Sequence, residues 1–419
     1  MPHQVGLTIV APVQPSKLDD LRTLLEEMGK DPAGNSHVPF GRVESIHYAR
    51  FTLLEPTADL SGEPIPARLI FMADFDAPLE ARLDNLLSVA GQGLIRLLSH
   101  CEGFPPAASP AACRSYFLDH ATRDAAYYVN TIGVGVDQVL GESRLHESLG
   151  EYLDATPELR SGDPAAVRRQ VADWVTTSSS LRWALKPPSP PDLAWRIGEL
   201  IHMVLIPLVG LVLLPVIIIA LPFWLIALRL HERSEPMSTA KPDPAHRDAL
   251  ERLEDHGPVN QFTAVGFVKR GWFRAFTARL VLFLIAYGVR HIFNRANLAG
   301  VKTIHFARWT YIDGRRRVIF ASNYDGSVES YNDDFIDKIA WGLNAVFSNG
   351  AGYPSTRWLL WGGAKNENAF KNYLRVHQAP TQVWYAAYPS VTALNIANSG
   401  AIRRDLIGGG EETTWLRRL

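Results

Sequence analysis

Cysteine is scarce in this chain. Two thiols in 419 residues, Cys101 and Cys113, exclude a disulfide framework and a zinc site built on thiolates. Neither sign of charge is in surplus: 42 lysines and arginines stand against 43 aspartates and glutamates, a formal net charge of −1. Without a basic stripe, nucleic acid is not an expected partner. The opening residues, MPHQVGLTIVAPVQP, have no basic start, long apolar stretch or small-residue cleavage site. They read as a first strand, so no cleaved signal is expected and the bulk of the protein is expected on the cytoplasmic side. No histidine cluster has metal-ligand spacing, and no metal site is expected.

What the chain does have is a copy of itself. Residues 43–55, VESIHYARFTLLE, return as residues 301–313, VKTIHFARWTYID, and residues 69–106 align without a gap on residues 318–355. Identities in the second stretch include Asp76 with Asp325, Glu80 with Glu329, Gly93 with Gly342 and Pro105 with Pro354. A period of about 250 residues is far longer than a solenoid repeat and marks a duplicated domain.

Between the copies, residues 203–228 form a run with no charged side chain. It is long enough for a bilayer. A straight span would put the two copies on opposite sides of the membrane. Pro207, Pro215 and Pro222 interrupt the run at even intervals, and Pro215 lies near its middle, where a helix would kink or turn. The expectation is a shallow re-entrant hairpin over 195–233 with both ends facing the cytoplasm, where basic residues flank it, and with Trp224 near its second end; a single kinked span is the alternative. Residues 271–293 supply a second membrane element. Trp272, Phe276 and Phe283 recur at helical spacing among arginines, as suits a helix in the headgroup region.

Each copy reads as strand, helix, strand, strand, helix, strand. In the first, the fourth strand is placed at RSYFLDH, residues 114–120, and a helix at AAYYVNT, residues 125–131. The fold class is α+β: two ferredoxin-like βαββαβ repeats joined by a membrane-embedded helical segment. The boundaries are 1–155 and 259–407 for the repeats, 156–194 and 234–258 for linkers, and 408–419 for a tail that Gly408, Gly409 and Gly410 make flexible. Two fused units of this kind resemble the dimeric α/β-barrel superfamily, which includes dye-decolourising haem peroxidases, chlorite dismutases and small cofactor-free monooxygenases. That resemblance rests on topology and duplication and covers about half the chain. It implies oxidation–reduction, if the protein is an enzyme. It admits haem, but Asp313-Gly314 and Asp325-Gly326 lack the preceding glycine of the peroxidase signature, so no motif supports a haem cofactor.

The most pointed constellation is Ile-His-aromatic-Ala-Arg-aromatic, which gives His47 and Arg50 in one copy and His305 and Arg308 in the other. These four are the candidate catalytic residues. Strand alternation would send the histidine and arginine of one copy to opposite faces, so a shared pocket would need both copies. The structural alternatives are core hydrogen bonding for the histidines and ion pairs with Asp74, Asp76 or Asp325 for the arginines. Asp76 and Asp325 would cap the helices that follow them. Trp309, Tyr324, Trp341 and Trp358 make the second copy aromatic and are the candidate ligand-binding residues. The expected partners are membrane lipid and an apolar or amphipathic, lipid-like small molecule. The competing expectation is a scaffold without chemistry that self-associates as a homo-oligomer.

Overall fold

The computed structural model describes residues 3–106, 108–409 and 411–419. The first repeat opens with β1 (Gln4–Pro12), α1 (Leu18–Gly29), β2 (Ile46–Leu54), β3 (Arg68–Asp76) and α2 (Leu79–Leu98). In α1, Leu21, Leu24, Leu25 and Met28 are buried, the spacing of one helix face. Residues 114–120 are not a strand. They belong to α3 (Pro110–Asp119), where the Ser109 hydroxyl accepts from the Ala112 N–H, Pro110 suits the first turn, and Cys113, Tyr116 and Phe117 are buried at helical spacing. The strand comes later, as β4 (Asp124–Val129), in the tract expected to be helical.

After α4 (Val136–Ala155), α5 (Pro164–Thr177), α6 (Leu193–Val212), α7 (Leu214–Ser234) and α8 (Pro244–Glu251), the second repeat follows. It consists of β5 (Val259–Phe267), α9 (Trp272–His291), β6 (Ile304–Ile312), β7 (Arg317–Asp325), α10 (Val328–Phe347), α11 (Glu367–His377) and β8 (Val383–Ala386). Two further helices, α12 (Ala393–Arg404) and α13 (Glu412–Leu416), end the chain.

Two four-stranded antiparallel sheets result, ordered β1-β3-β2-β8 and β4-β6-β7-β5. Each takes its last strand from the other repeat: β4 pairs with β6, Tyr127 opposite Arg308, and β8 pairs with β2, Trp384 opposite Arg50. Before crossing, each connection runs beside its own first strand. The Val10 N–H donates to the His120 carbonyl at 3.1 Å and the Thr122 N–H to the Thr8 carbonyl at 2.8 Å; in the second repeat the Ala379 N–H donates to the Thr263 carbonyl at 2.8 Å. The self-contained βαββαβ units expected from the sequence therefore do not form. The open edge of β2 or β6 binds the other repeat's strand, which satisfies its unpaired backbone groups.

Residues 156–194 are not simply a linker. Asp163 caps α5, and Val167, Val171 and Val175 pack with Leu145, Leu149 and Trp415. That packing also fixes the chain end: Trp415 is fully buried and its indole N–H donates to the Ile402 carbonyl at 3.0 Å. Of the tail glycines, Gly410 lies outside the described residues.

Three helices, α6, α7 and α9, are long and apolar enough to cross a membrane. The break between α6 and α7 falls at Leu213, just before Pro215, whereas Pro207 and Pro222 lie inside the helices. Both legs rest on α9. Arg290 on α9 bonds Glu199 at 2.5 Å and the Tyr287 hydroxyl donates to the Met203 carbonyl at 2.8 Å. At the other end, Trp224 donates to Thr277 at 3.3 Å and His231 stacks on Phe273. These anchor points lie about 20 Å apart along α9 at ~1.5 Å per residue, so α6 and α7 form a splayed hairpin. Its middle is stripped of partners: Val212, Val216, Ile219 and Phe223 are all exposed. Since the repeats share sheets, both legs return to one body. A single span with a repeat on each side is incompatible with the exchanged strands.

The helix expected at 271–293 is α9, and it is not a free span. Phe273, Thr277, Ala278, Val281 and Leu282 are buried in the body, while Trp272, Phe276, Phe283 and Leu284 are exposed on the opposite face.

Candidate functional site: a cavity between the sheets and the apolar helices

The histidines and arginines of the repeated motif come together, but as the frame between the sheets. Regular alternation fails at His47 and His305, where the β2–β3 and β6–β7 registers slip between Ile46 and Tyr48 and between Ile304 and Phe306. These bulges re-aim the imidazoles toward the other repeat: His47 lies 5.2 Å from the Phe306 ring, and His305 lies 5.6 Å from the Tyr48 ring. Histidine and arginine thus do not diverge to opposite faces as plain alternation predicts.

Each histidine is held by an aspartate. His47 Nε2 is 3.0 Å from Asp76 and His305 Nε2 is 2.6 Å from Asp325. A carboxylate only accepts, so Nε2 carries the proton in both. The second oxygens of Asp76 and Asp325 accept from the N–H groups of Val136 at 3.0 Å and Ala393 at 2.8 Å, the first residues of α4 and α12. The aspartates therefore cap helices that follow the exchanged strands, not the helices next to them in sequence. His47 Nδ1 is taken by the Tyr388 hydroxyl at 2.7 Å, so both its ring nitrogens are engaged. With the imidazoles so occupied and the space between the sheets filled by side chains, the residues present do not fit an axially bound haem there.

The arginines cross between sheets. Arg308 donates to the Leu7 carbonyl at 3.0 Å, the Ala73 carbonyl at 3.0 Å and Thr8 at 3.1 Å; it pairs with Asp74 and lies 3.6 Å from Asp124. Arg50 makes the reciprocal contacts, to the Phe262 carbonyl, Thr263, the Ser322 carbonyl and the Asn323 amide oxygen, and forms no ion pair among the described residues. The expected ion pair is present for Arg308, across the sheets instead of along one, and absent for Arg50. Burial pulls the Arg50 guanidinium down to about 10, whereas for Arg308 the same burial is outweighed by Asp74 and Asp124, which hold it above the usual arginine value. None of the four motif residues lines either cavity described below.

The larger cavity measures about 1060 Å³ and lies between β1, β4, the end of β6, the start of α6 and the second half of α9. Its apolar wall includes Leu282, Phe283 and Ala286, and its polar lining includes Asp124, Arg279 and Arg315. Leu282 and Tyr311 separate it from a small enclosed gap of about 50 Å³ against Trp309, Phe320 and Phe347.

The aromatic residues singled out in the sequence do not share one pocket. Trp309 lines the small gap, with its indole N–H buried and unpartnered. Tyr324 is fully buried and stacked on Tyr331 in the core. Trp341 is 47% exposed, and Trp358 sits in a left-handed turn whose N–H donates to Glu232 at 2.9 Å. Sequence reasoning missed Tyr311, Arg315 and Asp124. The signal lay in the repeat itself: Tyr311 aligns with Leu53, so a hydroxyl stands where the first copy has a hydrocarbon. No protein-family model, curated protein or solved structure matches the chain.

Proposed function

We propose that the protein sits on one face of a membrane, through the α6–α7 hairpin and the outer face of α9, and holds an amphipathic, lipid-like molecule in the 1060 Å³ cavity beside them. The observation that carries this reading is adjacency: α9 lines the cavity with Leu282, Phe283 and Ala286 and exposes Trp272, Phe276 and Phe283 along one side of the same helix. Phe283 belongs to both, so a bilayer bound along that exposed side would lie directly beside the cavity. The size is within the range of small-molecule sites that bury most of their ligand. The cytoplasmic orientation expected from the flanking basic residues belongs to the same proposal.

Kinship with the dimeric α/β-barrel superfamily is also part of the proposal, and the exchange of fourth strands between the repeats supports it. Oxidation–reduction has no such support, because His47, His305, Arg50 and Arg308 are buried, bonded and do not themselves line the cavity. Mass spectrometry of small molecules extracted from protein purified in mild detergent tests the reading. A defined amphipath should copurify at close to one per chain, and Ala286→Trp, which projects an indole into the cavity, should lower its retention without loss of helical circular dichroism. An empty wild-type protein forming discrete oligomers would favour a scaffold instead.

A further inference from the structure

The two repeats differ at the cavity. On the outer face of β2 the first copy packs Phe51 and Leu53, both buried among hydrocarbon, under α1. The corresponding residues of β6 are Trp309 and Tyr311, and each carries a buried polar atom, indole Nε1 or hydroxyl, with no hydrogen-bond partner. Leaving such a group unpaired costs about 1–3 kcal/mol, so the Tyr311 hydroxyl, on a residue that lines the cavity, points to a ligand that satisfies it, whereas Trp309 lines the adjoining gap. Duplication gives both copies the same strand. Only the second has put donors there.

Charge around the cavity is also unbalanced. Asp313 is shared by Arg68 and Arg317, Glu199 is paired with Arg290, and Asp124 is faced by Arg308. That leaves Arg123, Arg279 and Arg315 against the single carboxylate of Asp119, none of them in an ion pair among the described residues. Arg279 and Arg315 line the cavity together with Tyr311, and both act electrostatically on its hydroxyl. Arg279 spends only its Nε–H within the protein, on the Ala275 carbonyl at 3.1 Å.

Resting on the reading above, we infer that the cavity selects an amphipath with an acidic head: a carboxylate or phosphate bound by Arg279 and Arg315, receiving a hydrogen bond from Tyr311, with the apolar chain along Leu282 and Phe283. Guanidinium groups recognise both anions through paired N–H donors. A free fatty acid and an anionic phospholipid share this chemistry.

Full-length protein in mild detergent, exchanged in turn with oleate, phosphatidic acid and phosphatidylcholine and read by native mass spectrometry, tests the assignment. Oleate or phosphatidic acid should be retained at least tenfold better than phosphatidylcholine, and which of the two it is identifies the source of the head. The double variant Arg279→Ala/Arg315→Ala should lose that preference, and Tyr311→Phe should reduce it severalfold, while Arg247→Ala on the remote surface should leave it unchanged. Both arginines are exposed, so folding should survive, as circular dichroism would verify. Equal retention of phosphatidylcholine, or a preference untouched by the double variant, would overturn the acidic head and leave the amphipath reading standing. Retention of none of the three would overturn both.

Discussion

Arg308 and Arg50 occupy equivalent places and carry unequal burdens. Removing Arg308 strands Asp74 and Asp124 between the sheets, the situation that costs about 3–5 kcal/mol. Removing Arg50 strands only carbonyl and amide oxygens, at about 1–2 kcal/mol. Arg308→Met should therefore lower the denaturant midpoint more than Arg50→Met, and equal losses would contradict the asymmetry. Asp124 adds a pH signature. Burial raises its carboxyl above the ordinary aspartate value of 3.8, although Arg308 acts the other way. The folded state then binds the proton more tightly than the unfolded chain, so this group's contribution to stability falls as pH rises from 3.8 toward the raised value. Denaturant midpoints measured from pH 4 to 7 should shift in favour of Asp124→Asn relative to the parent, and a flat difference would count against a buried, protonation-sensitive carboxylate.

Among the elements, the exchanged strands carry the most weight, since β4 and β8 tie each repeat to the other's sheet. Cleavage at an engineered protease site in the exposed 239–241 segment should leave two fragments that co-elute on size exclusion without denaturant. Separation under those conditions would contradict the pairing of Tyr127 with Arg308 and Trp384 with Arg50. The duplication, the first three strands of each copy and the helix α1 were legible because they rest on register and on apolar periodicity. The destination of the fourth strand was not. Residues 125–131 are expected from the sequence to be helical, and although Tyr127, Tyr128 and Val129 have the propensity for a strand, propensity does not say which edge receives them. RSYFLDH was misread because its aromatic content outweighed the Ser109-Pro110 helix start. The bulges at His47 and His305 were equally hidden, since a slipped register depends on the partner strand. The cavity escaped notice because its lining is gathered from β1, β4, β6, α6 and α9, which no local pattern connects.

For the whole molecule, the shared sheets and the hairpin together dictate one topology. A body whose halves complete each other's sheets cannot straddle a bilayer, so α6 and α7 must enter and leave on the side where both repeats lie. On the proposed reading, the apolar hairpin, the exposed aromatic side of α9 and the cavity beside it belong to one membrane-facing surface. The most direct test is reconstitution into sealed vesicles followed by an impermeant thiol reagent. Single cysteines would be placed at Ser61 in the first repeat, Thr239 in the linker and Glu411 near the end, in a chain whose own Cys101 and Cys113 are replaced by alanine. The three sites should label together from outside the vesicles or be protected together. Protection of Ser61 with labelling of Glu411 in the same vesicles, or the reverse, would contradict the account.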